Sequence, residues 1–152
     1  MASLIEEDVK LFVEAVQHYF RVITKQEPQI TSAFLGTGEI NTEEFNGIVS
    51  FSGLFNGHVI VSMPGKLLKE LLALQGETMF SDGNLLDAVG EIANTVAGRA
   101  RKTLGSGLEI SVPVRVQGSP QGKTQVRKHP LVITLKWQHY PATVVVDLMR
   151  KS

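Results

Sequence analysis

Two stretches of helical periodicity constrain what this chain can fold into more than any other feature. Apolar residues recur at Val9, Phe12, Val13, Val16, Phe20 and Ile23, and again at Leu85, Val89, Ile92, Ala93, Val96 and Ala100. That spacing puts each set on one face of a helix. Ser3 followed by Glu6 has capping-box spacing, and Glu6, Glu7 and Asp8 suit the positive end of a helix dipole, so the first helix is predicted over about residues 4–24. The later one is predicted over about residues 82–104, with Ser81 or Asp82 as its cap and Gly105 as its stop. A helix with one apolar stripe must bury it, and the rest of the chain supplies strands for the purpose.

From Phe45 to Met63 the sequence turns β-branched and aromatic, broken by Gly53 and the Asn56-Gly57 turn signal, which predicts an antiparallel hairpin. Pro64-Gly65 ends it, and Lys66 to Gln75 has helical periodicity with Gly76 as a stop. After the later long helix, L-E-I-S-V-P-V-R-V alternates as a strand, with Pro113 marking an edge or a bulge. Q-G-S-P-Q-G-K-T is a surface loop by composition. L-V-I-T-L-K-W and A-T-V-V-V-D-L-M then read as two strands paired through a turn around His139 and Pro141. Each half of the chain thus runs long helix then antiparallel strands, which predicts an α+β domain with long helices packed on a mostly antiparallel sheet.

With 152 residues, 43% of them hydrophobic, the chain suffices for one well-packed domain, expected over 1–152. Lys plus Arg equals Asp plus Glu at 15 each, so no overall field favours nucleic acid or an anionic membrane. The absence of cysteine excludes disulfides, thiolate catalysis and cysteine-ligated metals, and it suits a reducing compartment. The first residues are acidic and amphipathic, unlike a secretion signal, and no apolar run approaches about 18 residues. A cytoplasmic location is the expectation.

The later long helix carries an unusual polar face. Asp87, Glu91, Asn94 and Gly98 fall within about 60° of one another, opposite the apolar stripe. Asp87 and Glu91 are like charges at i,i+4, with no Lys or Arg at i+3 or i+4 from either to offset them. Gly98 costs roughly 1 kcal/mol against Ala in a helix interior and leaves a flat spot where another surface can approach. These choices fit a face shaped for an external partner. Lys10, Glu14 and Gln17 on the first helix repeat the spacing of Asp87, Glu91 and Asn94. They read either as an ordinary exposed face or as a degenerate second copy.

Other signals carry less. The loop from Gly118 to Thr124 resembles a phosphate-binding loop but has three residues between its glycines where four are needed, and Gly36 and Gly38 form a lone G-x-G. His18, His58, His129 and His139 show no paired metal-ligand spacing. Arg99, Arg101 and Lys102 complement the dipole at the carboxyl end of the later helix, and Arg101, at the edge of the polar face, can touch an acidic partner.

The order of the blocks G-I-V-S-F-S-G, N-G-H-V-I-V-S-M-P and D-A-V-G-E-I-A-N-T-V-A-G-R-A, with Pro113 in the next strand, resembles the CheC/CheX/FliY phosphatase family of bacterial chemotaxis. Its signature is an Asp or Ser, three residues, Glu, two residues and Asn on a long helix. One convincing site helix is similar to the CheX branch. The resemblance implies hydrolysis of the phospho-aspartate of a CheY-type response regulator, and a homodimer. It implies that Glu91 contacts a basic residue of the partner and that Asn94 enters the partner's active site, with Asp87 in a supporting role. Gly98 and Arg101 flank that face.

The chemistry is compatible with these residues. An aspartyl phosphate is a reactive mixed anhydride, so its hydrolysis needs mainly a positioned water and neutralised charge. A carboxamide such as that of Asn94 can hold a water in line without being a strong base. No cofactor or metal of the chain's own is then required, since the response regulator holds Mg²⁺. The alternative is a non-catalytic module that uses the same face to bind a response regulator or a flagellar-switch component.

Overall fold

The two predicted long helices form, and the strands between and after them join into one sheet beneath. The computed structural model describes residues 2–3, 6–36, 41–105, 107–118 and 130–150. Helix α1 spans Glu6–Thr24, α2 Gly65–Leu74 and α3 Asp82–Leu104. The strands are β1 (Ala2–Ser3), β2 (Gln29–Leu35), β3 (Phe45–Gly53), β4 (Phe55–Met63), β5 (Leu108–Ile110), β6 (Val114–Gln117), β7 (Leu131–Trp137) and β8 (Tyr140–Arg150). They make an eight-stranded sheet in the order β2-β7-β8-β4-β3-β5, with β1 also on β8 and β6 also on β3. Every pairing is antiparallel. The fold is α+β, as expected.

Strand parity decides where the core lies. On β4, Phe55, Val59, Val61 and Met63 share one face, and on β8 Val144, Val146 and Leu148 join them. This face packs against Phe12, Val16 and Phe20 of α1, Leu67, Leu68 and Leu71 of α2 and the apolar stripe of α3. Ile48, Ile60 and Val145 form a separate small cluster, and the register puts them on the opposite face.

Three expectations change. The hairpin reverses at Gly53 and Leu54, where Gly53 adopts a φ of +97°, and not at Asn56-Gly57. Asn56 and Gly57 lie inside β4, with Gly57 so close to the Asp147 carbonyl of β8 that no side chain fits there. The Asn-Gly pair therefore serves close strand approach, a role glycine fills as readily as a turn. Strand β2 has no counterpart among the predicted elements: it is an edge strand with weak alternation, so it lacks a clear period-2 signal. The predicted strand at 108–116 is two short strands, β5 and β6, parted around Pro113 on the edge beside β3, in keeping with a residue that cannot donate to a ladder.

The last turn lies at Gln138 and His139, with Pro141 already in β8. The predicted Ser3–Glu6 capping pair, Gly38, His129 and the loop beyond Gly118 lie outside the described residues and side chains.

Candidate functional site

Helix α3 is held at both ends and along one face. At its start the Ser81 Oγ accepts a hydrogen bond from the Asn84 backbone N–H at 3.2 Å, while the Asn84 side chain accepts one from the Ser81 N–H at 3.3 Å. Of the two expected caps, Ser81 is the one used. At its end Gly105, with a φ of +130°, donates its N–H to the Arg101 carbonyl at 3.1 Å. Its buried face settles onto β3 at Gly47, where a Cβ would stand 2.5 Å from the Val89 carbonyl oxygen and 3.0 Å from the Ala93 Cβ. Helix and sheet backbones touch there, which fixes how the opposite face of α3 is presented.

On that outer face Asp87 and Glu91 are exposed, and Asn94 and Gly98 are half-buried. The structure brings all four into one line along the helix. A Cβ added at Gly98 would meet no atom within 4 Å. The glycine therefore does not serve helix packing; it leaves the surface low beside Asn94.

The acidic pair is not evenly neutralised. The Nε of Arg115, on β6, stands 3.4 Å from the Asp87 Oδ1, so Asp87 has a cation after all, supplied from the sheet instead of its own helix. Gly90 makes room for it, since a Cβ there would come within 2.7 Å of the Arg115 Nε. The carboxylate of Glu91 meets no cation among the described residues. Its own backbone carbonyl accepts a hydrogen bond from the Thr95 hydroxyl at 2.8 Å.

The cations at the other end of α3 are differently employed. Arg99 holds Glu14 of α1 through two hydrogen bonds of 2.9 Å, from Nε and Nη2. Its role is thus a bidentate clamp between the helices as well as a complement to the dipole. That hydrogen bond holds the Glu14 carboxyl below the usual carboxylate value of 4.5 and raises the Arg99 guanidinium further. Glu14 also lies 4.0 Å from Arg21. As a second copy of the site, α1 therefore has its acidic residue already occupied. Arg101 donates its Nε–H to the Leu108 carbonyl at 2.8 Å, so part of its donor set braces the chain after α3 and the remainder of its exposed side chain faces outward.

Two hollows flank the polar face. One, of about 640 Å³, holds Asn94, Gly98, Arg101 and Lys102, with His18 of α1 across from them. The other, of about 490 Å³, lies between α1, α2 and α3, and Asp87 and Glu91 line it. Tyr19 lines this second hollow, as does Gln75, and its burial pushes the phenol from 10.0 up to about 12. Sequence reasoning missed Arg115 and His18 as parts of the site, because each comes from a different element. A long-range ion pair or a shared hollow leaves no mark in local spacing.

Around Asn94 the described residues of the lining offer a carboxamide, a hydroxyl, an imidazole and cations, but among them no carboxylate base. Among the described residues, no group of three or more His, Asp or Glu is placed to hold a metal ion. Among the described residues, no helix is long and apolar enough to cross a membrane. A face of this kind can orient a water and balance anionic charge brought by another molecule.

The family model described as chemotaxis phosphatase CheX matches residues 45–136. No curated protein matches the chain. Among solved structures, a CheC-like superfamily protein from Shewanella sp. PV-4 is similar at a TM-score of 0.80 and 17% identity, over 96% of this chain and 99% of that one. The chemotaxis protein CheX from Desulfovibrio desulfuricans is similar at 0.79 and 21% identity, over 95% and 99%. The CheX of a CheX–CheY–BeF3–Mg²⁺ complex from Borrelia burgdorferi is similar at 0.75 and 19% identity, over 94% and 97%.

Proposed function

The chain belongs to the chemotaxis phosphatase family CheX, and from that premise we propose that it hydrolyses the phospho-aspartate of a CheY-type response regulator. The observation that carries this reading is the pairing of Glu91 and Asn94 on the outer face of α3, one turn apart. The first has no cation among the described residues, and the second lies at the edge of a hollow lined by Arg101 and Lys102. A charged residue left without a partner in an otherwise braced helix invites one from outside. The complex of CheX with CheY and Mg²⁺ from Borrelia burgdorferi supports the choice of partner.

In this reading Glu91 anchors a Lys or Arg of the regulator and so sets the register of docking. Asn94 then enters the regulator's phosphorylated site. Its side-chain carbonyl accepts a hydrogen bond from the attacking water and its amide donates to a neighbouring oxygen, which holds the water in line with the phosphorus–oxygen bond that breaks. Asp87, fixed by Arg115, supports the anchor, and the low surface at Gly98 lets the partner's backbone approach. Mg²⁺ belongs to the regulator, and the chain needs no metal or cofactor of its own. The active site is composite, with half of it on each protein.

The test is to mix the protein with a phosphorylated response regulator and Mg²⁺ and follow phosphate release beside an Asn94→Ala variant. A large rate difference supports the reading, and equal rates overturn it. Saturable binding with no acceleration by either protein assigns the face to a binding module instead. A homodimer is part of the same proposal. Strand β2 offers an edge with Phe34 and Leu35 exposed, the kind of edge that pairs across a two-fold axis. Sedimentation of wild type against Leu35→Lys checks it, with dissociation the expected result.

A further inference from the structure

The hollow of about 490 Å³ between the three helices has no task in the water-positioning chemistry. Its walls include Val22 and Ile23 of α1, Leu72 of α2, Ile92 of α3, and Met79 on the segment joining α2 to α3. Val22 is 50% exposed and Met79 69% exposed. Large apolar side chains left open around a concavity of this size mark a place where something docks. Among the described residues, three carboxylates, Glu77, Asp87 and Glu91, and the imidazole of His18 line the same hollow, and no Lys or Arg does. Inside, then, the walls are mainly apolar, and with Asp87 paired to Arg115 it is Glu77 and Glu91 that make the charge facing an occupant negative.

Two further points choose the occupant. The hollow is continuous with the polar face, because Asp87 and Glu91 belong to both, so whatever presents a phosphoryl group to Asn94 must also lie over the hollow. Its charge calls for the reverse pattern on the other side, an apolar ridge flanked by Lys or Arg. An amphipathic helix with apolar residues three and four apart and basic residues beside them has that pattern. We propose that this groove is a specificity-determining dock for such a basic amphipathic helix of the response regulator, distinct in task from the water-positioning residues. The proposal rests on the phosphatase reading given above. Glu91 then sits at the junction, as both the wall of the groove and the anchor of the catalytic face.

The experiment uses a CheY-type regulator from the same genome, charged with acetyl phosphate and Mg²⁺. Val22→Glu and Met79→Glu change exposed side chains, and an unchanged melting temperature confirms folding. Each is expected to raise the half-saturating regulator concentration at least tenfold while leaving the maximal rate of phosphate release within twofold. Glu77→Lys is expected to raise it too, and added salt to shrink the difference. Asn94→Ala shows the opposite split, with the maximal rate lost and half-saturation kept. Half-saturation within twofold of wild type in both glutamate variants overturns the groove proposal, as does a Met79→Glu variant that alters only self-association. If wild type does not accelerate phosphate release at all, the phosphatase reading fails by itself. Direct titration of labelled regulator then still decides the groove, with binding weakened by Met79→Glu supporting it and unaffected binding overturning it.

Discussion

Helices α1 and α3 carry the same polar spacing, Lys10, Glu14 and Gln17 on one and Asp87, Glu91 and Asn94 on the other, yet the fold spends them differently. Glu14 is gripped by Arg99 through two hydrogen bonds and flanked by Arg21. The carboxylate of Glu91 has no cation beside it among the described residues. The cation of one helix neutralises the acid of the other, so Glu14 is answered while Glu91 is not, among the described residues. A spacing is therefore not yet a site. What separates the two is the company that the third dimension supplies.

The sharpest way to break this comparison is at the carboxamides. Asn94→Ala is expected to lower the maximal rate of phosphate release about 100-fold, the scale of losing a positioned reactant, whereas Gln17→Ala on α1 should leave it within twofold. Comparable losses from both would restore α1 as a working second copy. The next largest effect lies at the acids. Glu91→Arg is expected to raise half-saturation by about 30-fold or more, equivalent to about 2 kcal/mol of lost pairing. Glu14→Gln should leave half-saturation unchanged, as measured by titrating phosphorylated regulator.

A smaller effect, of mixed sign, is expected at Gly98. With open space around the added methyl group, Gly98→Ala should stabilise the helix by roughly 1 kcal/mol and raise Tm by about 2–4 °C. The same variant should lower phosphatase activity, because the partner approaches there. Calorimetry and phosphate release on one preparation test both halves. The smallest effect concerns the clamp. The folded Glu14 carboxyl is held below its usual value of 4.5, so the unfolded chain takes up its proton first as pH falls. The clamp therefore contributes its stability above that value and loses it as pH drops through the lower folded value. Thermal scans from about pH 6 to about pH 3 should show a shallower decline for Glu14→Gln than for wild type.

Much of the fold was legible because it rests on periodicity. The stripes from Val9 to Ile23 and from Leu85 to Ala100 mark helices whatever they pack on, and the Ser81 cap and Gly105 stop bound the second. What stayed hidden depends on contacts distant in sequence. Strand β2 alternates weakly because its edge position leaves most of it exposed. Asn56-Gly57 carries the local signature of a turn, and only the nearness of β8 reveals its use. At the site, the outward face of α3 could be read from angles alone. Its ion pairing could not, since Arg115 arrives from β6 and Arg99 leaves for α1. The glycine in G-I-V was the one available hint that a helix would touch the sheet, because a glycine inside a strand often marks close backbone approach.

That contact at Gly47 also bears on how such a protein can change over time. The height of α3 above the sheet is set where the main chain of β3 meets the Val89 carbonyl, not by the bulk of an interposed side chain. Replacing Leu85, Ile92 or Val96 with residues of similar volume would then refill the space around a fixed seat without sliding the helix along it. Asn94 and Glu91 would keep their positions while the interior beneath them drifted. A scaffold anchored backbone to backbone lets its interior vary and its working surface stay in place, and it concentrates intolerance to mutation on a single residue that has no side chain at all.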